Sequence, residues 1–183
     1  MRTMRKISAL MIILLATTAL AIDWPQWRGP NRDNVSAETG LLKEWPKDGP
    51  ALLWKGTGLG IGFSTVSVVG DRIYTMGDGP DSSYIRCISL ADGKPVWSSK
   101  VGKPGGDHPG TRCTPSVDGE MVYALGQWGD LVAVKAADGK EVWRKNMIRK
   151  DIARFLGGTR IGLYLSWGTT GPGGIAMDLG LQF

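Results

Sequence analysis

The sequence predicts an all-β fold built from a repeated four-stranded antiparallel sheet. Three observations carry this expectation. The pattern Ala-Asp-Gly-Lys-x-Val-Trp occurs twice, at Ala91–Trp97 and Ala137–Trp143, with Asp92 and Asp138 46 positions apart. The chain of 183 residues holds 27 Gly and 8 Trp, which suits many tight turns and regularly placed aromatics better than long helices. Upstream of each Asp-Gly pair the residues alternate with period two, and no long stretch has helical period. An apolar content of 42% allows a packed core and excludes a disordered chain.

The first 21 residues stand apart from that domain. Arg2, Arg5 and Lys6 form a basic head, Ile7 to Leu20 is an apolar run broken only by Ser8, Thr17 and Thr18, and Ala19-Leu20-Ala21 is a small-x-small site. This is the pattern of a secretory signal cleaved after Ala21. The run is shorter than the roughly 20 residues of a membrane span. The chain is therefore expected to be exported, to the periplasm or beyond, with no transmembrane span after cleavage. The residue after Ala21 is Ile22 and not Cys, so a lipid anchor is not expected. The formal charge of +5 comes from this head and the last part of the chain. Between Ile22 and Met147 cations and carboxylates are equal in number, so no nucleic-acid partner is implied.

The strands follow in order. The first unit is expected at Ser64–Val69, Arg72–Met76, Tyr84–Leu90 and Pro95–Lys100. It repeats at Thr114–Val117, Met121–Leu125, Asp130–Lys135 and Glu141–Asn146. In each unit a Gly/Asp turn separates the first two strands, and the second strand ends near Tyr-x-x-Gly, at Tyr74 and Tyr123. In the third strand Ile85 and Cys87 share one face and Tyr84, Arg86 and Ile88 the other; its counterpart sets Leu131 and Ala133 against Val132 and Val134. Asp92-Gly93 and Asp138-Gly139 are hairpin turns, because Gly takes positive φ and Asp can bind nearby amides. Lys94 and Lys140 follow, and the fourth strands carry Trp97 and Trp143. The longer loop Asp78–Tyr84 absorbs a three-residue difference between the units.

One such sheet cannot bury both of its faces alone. Sheets stacked around an axis solve this and leave only short edges, which is the β-propeller arrangement. Trp97 and Trp143 then serve as large flat rings between twisted sheets. The blades are about 64–101 and 114–147 within a repeat region 22–147, and Trp54, 43 residues before Trp97, closes a partial blade ahead of them. Neither Trp-Asp nor Gly-His is present at the positions of a WD40 blade.

The stretches "CISLADGKPVW" (Cys87–Trp97) and "VAVKAADGKEVW" (Val132–Trp143) resemble the pyrroloquinoline quinone (PQQ) repeat, in which Gly-Lys-x-x-Trp closes each blade. "DWPQWRGPNRDNVSAETGLL" (Asp23–Leu42) with Leu52–Lys55 is similar to the opening of secreted bacterial PQQ-like propellers. The resemblance implies a quinoprotein alcohol dehydrogenase-like fold, present as an N-terminal fragment of about two blades. In enzymes of this class PQQ lies on the ring axis with Ca²⁺; two blades cannot enclose it, and no ligand position is assignable. No cofactor, metal or catalytic residue is expected for this chain. Some intact relatives resemble the propeller lipoprotein that assists outer-membrane protein assembly. The expected function is thus a non-catalytic exported binding or scaffold module, with a protein or small-molecule partner. A fragment of a PQQ dehydrogenase and a truncated product without its own function are the alternatives.

The remaining features read as structural. Cys87 and Cys113 could form a disulfide or sit in the core as small apolar residues. His108, beside Asp107 in a Gly/Pro-rich loop, reads as a solvated residue, and Gly58–Gly62 lacks the Gly-Lys-Ser/Thr of a phosphate loop. Asp71, Asp92, Asp118 and Asp138 sit next to Gly in turns. Tyr84, Arg112 and Trp128 lie near inter-strand loops, where propellers usually meet partners. The tail 148–183 departs from the repeat and has no hairpin signature of the earlier kind, as a truncated or frame-shifted end would; 147–156 could form a short helix. Open sheet faces predict self-association.

Overall fold

A computed structural model describes residues 22–106, 109–147, 162–169 and 175–182. Among these the regular structure is all β, with two four-stranded antiparallel sheets and no helix. The first sheet runs β1 (Ser67–Val69), β2 (Arg72–Asp78), β3 (Ser83–Ser89) and β4 (Pro95–Gly102). The second runs β5 (Ser116–Asp118), β6 (Met121–Leu125), β7 (Asp130–Lys135) and β8 (Glu141–Asn146). Each sheet orders its strands as they occur in the chain. The expected boundaries hold within a few residues, and the two units are blades of a propeller.

Register repeats between the blades. Tyr74, Cys87 and Trp97 lie side by side across the first sheet, as Tyr123, Ala133 and Trp143 do across the second. In both ladders the register slips one residue past the Trp pair, between Cys87 and Ile88 and between Ala133 and Val134. Such an irregularity adds twist to an outer strand. Each Tyr ring meets the Trp ring of its own blade at a tilt, with centroids 5.8 Å apart in the first blade and 6.0 Å in the second. Burial pushes the Tyr74 phenol up to about 12.

The core lies between the blades. Tyr74, Met76, Ile85, Cys87 and Val101 of the first sheet pack against Val122, Ala124, Val132 and Val134 of the second. These are the faces that period-two alternation assigns. Leu131 and Ala133, on the far face of β7, are buried as well.

Cys87 and Cys113 are both buried free thiols of this core. Cys87 lies mid-strand in β3, while the Cys113 sulfur is engaged just before β5 by the Leu125 amide at 3.5 Å. Burial pushes the Cys87 thiol up, which lowers its thiolate fraction. Both thiols are therefore expected to resist iodoacetamide in the folded protein and to react at least tenfold faster in denaturant. Equal rates in the two conditions would contradict this packing.

The tail also holds regular structure. β9 (Gly162–Thr169) and β10 (Ile175–Gln182) form an antiparallel hairpin. The sequence joining them, 170–174, is Thr-Gly-Pro-Gly-Gly, a turn-forming composition without the Asp-Gly pair of the blades. The expected short helix at 147–156 and the expectation for Asp107 and His108 fall outside the described residues.

Candidate functional site

The repeated Asp-Gly-Lys-x-Val-Trp residues form the joint between successive sheets. At each turn Gly is left-handed, with φ of 68° at Gly93 and 72° at Gly139. Asp92 Oδ1 accepts the Lys94 amide at 3.2 Å, and Asp138 Oδ1 accepts the Lys140 amide at 3.0 Å. Lys94 and Lys140 themselves are exposed. The hydrogen bond from Lys94 holds Asp92 below the usual carboxylate range, but in solvent such a pair adds little stability.

The indoles dock on the next unit's turn rather than on their own. Trp54 donates from Nε1 to the Leu90 carbonyl at 3.0 Å, and Trp97 donates to the Ala136 carbonyl at 2.9 Å. A Cβ at Gly93 would stand 2.5 Å from the Trp54 ring, and one at Gly139 the same distance from the Trp97 ring. Gly is thus required twice at each turn, for its backbone angle and for the ring above it. Trp143 occupies the equivalent place on β8, beside Tyr123. Arg144 ties the outer strands together, donating to the Lys100 carbonyl at 2.9 Å and also to the Val101 carbonyl.

At the opposite end of the sheets the loops converge on Asp78, which sequence reasoning missed. Its side chain is buried and accepts four hydrogen bonds. Ser83 Oγ donates to Oδ1 at 2.5 Å. The Gly105 and Gly110 amides and Gln127 Nε2 donate to Oδ2 at 2.9, 3.1 and 3.1 Å. Asp78 and Gln127 are equivalent positions, each following Tyr-x-x-Gly and 49 residues apart. Thr65 and Thr114, also 49 apart, meet in the same way at 2.6 Å between their hydroxyls. The signal was present in the sequence: the same slot of both repeats is polar where the strand should end. Ile61 pairs with Asp78 through the backbone, so Gly58–Gly62 lies along the end of β2 as a structural loop.

This hub sets out a surface. Arg112 donates to Gln127 Oε1 at 3.2 Å, and its guanidinium stands 5.9 Å from the centre of the Phe63 ring. The Lys103 ammonium stands 5.0 Å from the Trp128 ring. Phe63 is 71% exposed, Ile61 63% and Trp128 41%. Of the three residues expected near partner loops, Arg112 and Trp128 come together here. Tyr84 does not; it lies on the other face of the first blade, bonded to Asp81 and covered by Arg86. No group of three or more His, Cys, Asp or Glu among the described residues could hold a metal ion, and the Asp78 carboxylate is already engaged by four donors.

The repeat geometry agrees with the comparison to known families. A family model described as "Outer membrane protein assembly factor BamB", built on the PQQ-like repeat, matches residues 35–157. The chain belongs to this BamB family. The outer membrane protein assembly factor BamB of Alkalilimnicola ehrlichii (strain ATCC BAA-1101 / DSM 17681 / MLHE-1) is 31% identical over 91 residues, covering 47% of this chain and 23% of that protein. The chain thus matches less than a quarter of the length of this BamB relative. No helix among the described residues is long and apolar enough to cross a membrane.

Proposed function

We propose that the chain is an exported, non-catalytic binding module of the cell envelope that engages a protein partner in outer-membrane protein assembly. The observation that carries this reading is the pair of aromatic–cation contacts, Phe63 with Arg112 and Trp128 with Lys103, displayed on loops that Asp78 holds in place. Exposed aromatics with Arg beside them are the residues that dominate protein interfaces. The cations favour a partner segment that is acidic as well as apolar. Similarity to an outer membrane protein assembly factor supports the same class of partner.

The test is binding of the chain to purified outer-membrane assembly machinery from the same cell, measured by biolayer interferometry. Phe63→Ala combined with Trp128→Ala is expected to weaken binding at least tenfold, as loss of central anchor residues does. Trp45→Ala, also exposed but distant in sequence from these loops, serves as the control. Unchanged affinity in the double variant would remove the loop surface from the proposal.

A further inference from the structure

The first four residues after Ala21 each hold a different part of the molecule. The Ile22 backbone nitrogen lies 3.2 Å from Glu38 Oε1. Asp23 Oδ1 accepts the Gly70 amide at 2.8 Å, in the turn between β1 and β2. Trp24 pairs with Val68 of β1 in both directions, at 2.7 and 2.8 Å. The Pro25 carbonyl accepts the Val117 amide of β5 at 2.8 Å. Residues 22–25 thus form a strap that joins the innermost strands of both blades.

The loop that follows turns the chain back. Arg28, Arg32 and Asn34 all take left-handed backbone angles, and the Arg32 guanidinium donates to Gln26 Oε1 through Nε and Nη2 at 3.1 and 3.0 Å. Backbone strain of this kind persists only when surrounding contacts hold it. The result is that Glu38 returns beside Ile22, its own amide donating to Ser36 Oγ at 3.2 Å.

We infer that cleavage between Ala21 and Ile22 fastens this strap, because it turns the Ile22 amide into an ammonium that pairs with the Glu38 carboxylate. The step is a hydrolysis by a signal-peptidase-class enzyme. One water is consumed, the Ala21–Ile22 peptide bond breaks, Ala21 leaves as a carboxylate and Ile22 keeps a protonated amine. An amide donating to a carboxylate becomes an ammonium–carboxylate ion pair, which adds Coulombic attraction to the hydrogen bond. Export and the final closure of the inner strands are then one event. The inference uses neither the loop surface nor its partner.

The experiment compares the full chain from Ile22, released by a protease that leaves nothing ahead of it, with the same chain acetylated on Ile22. Each is made with Glu38 and with Glu38→Gln. In low salt the free amine is expected to raise the folding equilibrium constant about threefold over the acetyl form, and Glu38→Gln to abolish that difference. Equal stability of the amine and acetyl forms with Glu38 present overturns the inference. A second readout needs no unfolding: acylation of the Ile22 amine at about pH 7.5, near its ordinary titration range, should run several-fold slower with Glu38 in place than in the Glu38→Gln variant. Equal acylation rates also overturn it.

Discussion

Trp97→Ala is expected to destabilise the protein by about 3 kcal/mol, the lower end for removing a large core aromatic, because the ring is half-buried. The loss has two parts. The indole covers the Gly139 turn and the Tyr74 ring, and its Nε1–H is the partner of the Ala136 carbonyl. Trp97→Phe keeps most of the apolar contact and loses the hydrogen bond, so it should cost about 1 kcal/mol beyond the area lost. Equilibrium urea unfolding measures both. A loss under about 1 kcal/mol for the alanine variant would mean that the blades are joined by the β2–β3 and β6–β7 core alone. Gly139→Val tests the same joint from the other side and should be at least as damaging, since the new side chain meets both a positive φ and the ring.

Asp78→Ala has the second large effect, about 3–4 kcal/mol. It leaves the Gly105 and Gly110 amides, the Gln127 side-chain amide and the Ser83 hydroxyl without their acceptor. Buried donors left unpaired cost about 1–3 kcal/mol each, reduced where water enters. Asp78→Asn should be milder, since one oxygen remains, but its NH₂ faces donors. The loop between the blades should also loosen, seen as faster amide hydrogen exchange at Gly105 and Gly110 while the β2 and β6 amides keep their protection. Unchanged exchange at these two glycines would show that the hub does not hold the loop.

Most of the blade architecture was legible because its cause is local. Asp92-Gly93 and Asp138-Gly139 demand a particular turn, and the alternation on either side leaves one strand register that buries Ile85 with Cys87 and Val132 with Val134. The docking of Trp54 and Trp97 on the following turn followed only in outline: the sequence required a ring between sheets, not which carbonyl it would reach. Asp78 escaped notice because its role depends on a partner 49 residues away, and a single Asp beside Gly reads as turn chemistry. The strap at 22–25 was hidden for the same reason, since its bonds reach Glu38, Gly70, Val68 and Val117. The β9–β10 hairpin was overlooked because its joining sequence lacks the Asp-Gly pair that marks the other turns. The thiols show a different limit. An exported chain would favour a bridge between Cys87 and Cys113, whereas in the core each thiol is buried and free.

The indole joint has a direction: in both cases the donor comes earlier in the chain and the acceptor on the turn of the sheet that follows. A contact with unlike halves cannot join a face to a copy of itself. Any second copy that borrows this joint must add head to tail, so it yields a closed cycle when the angular step divides a full turn and a growing filament when it does not. Two like faces cannot meet through this joint; each donor face must find an acceptor face.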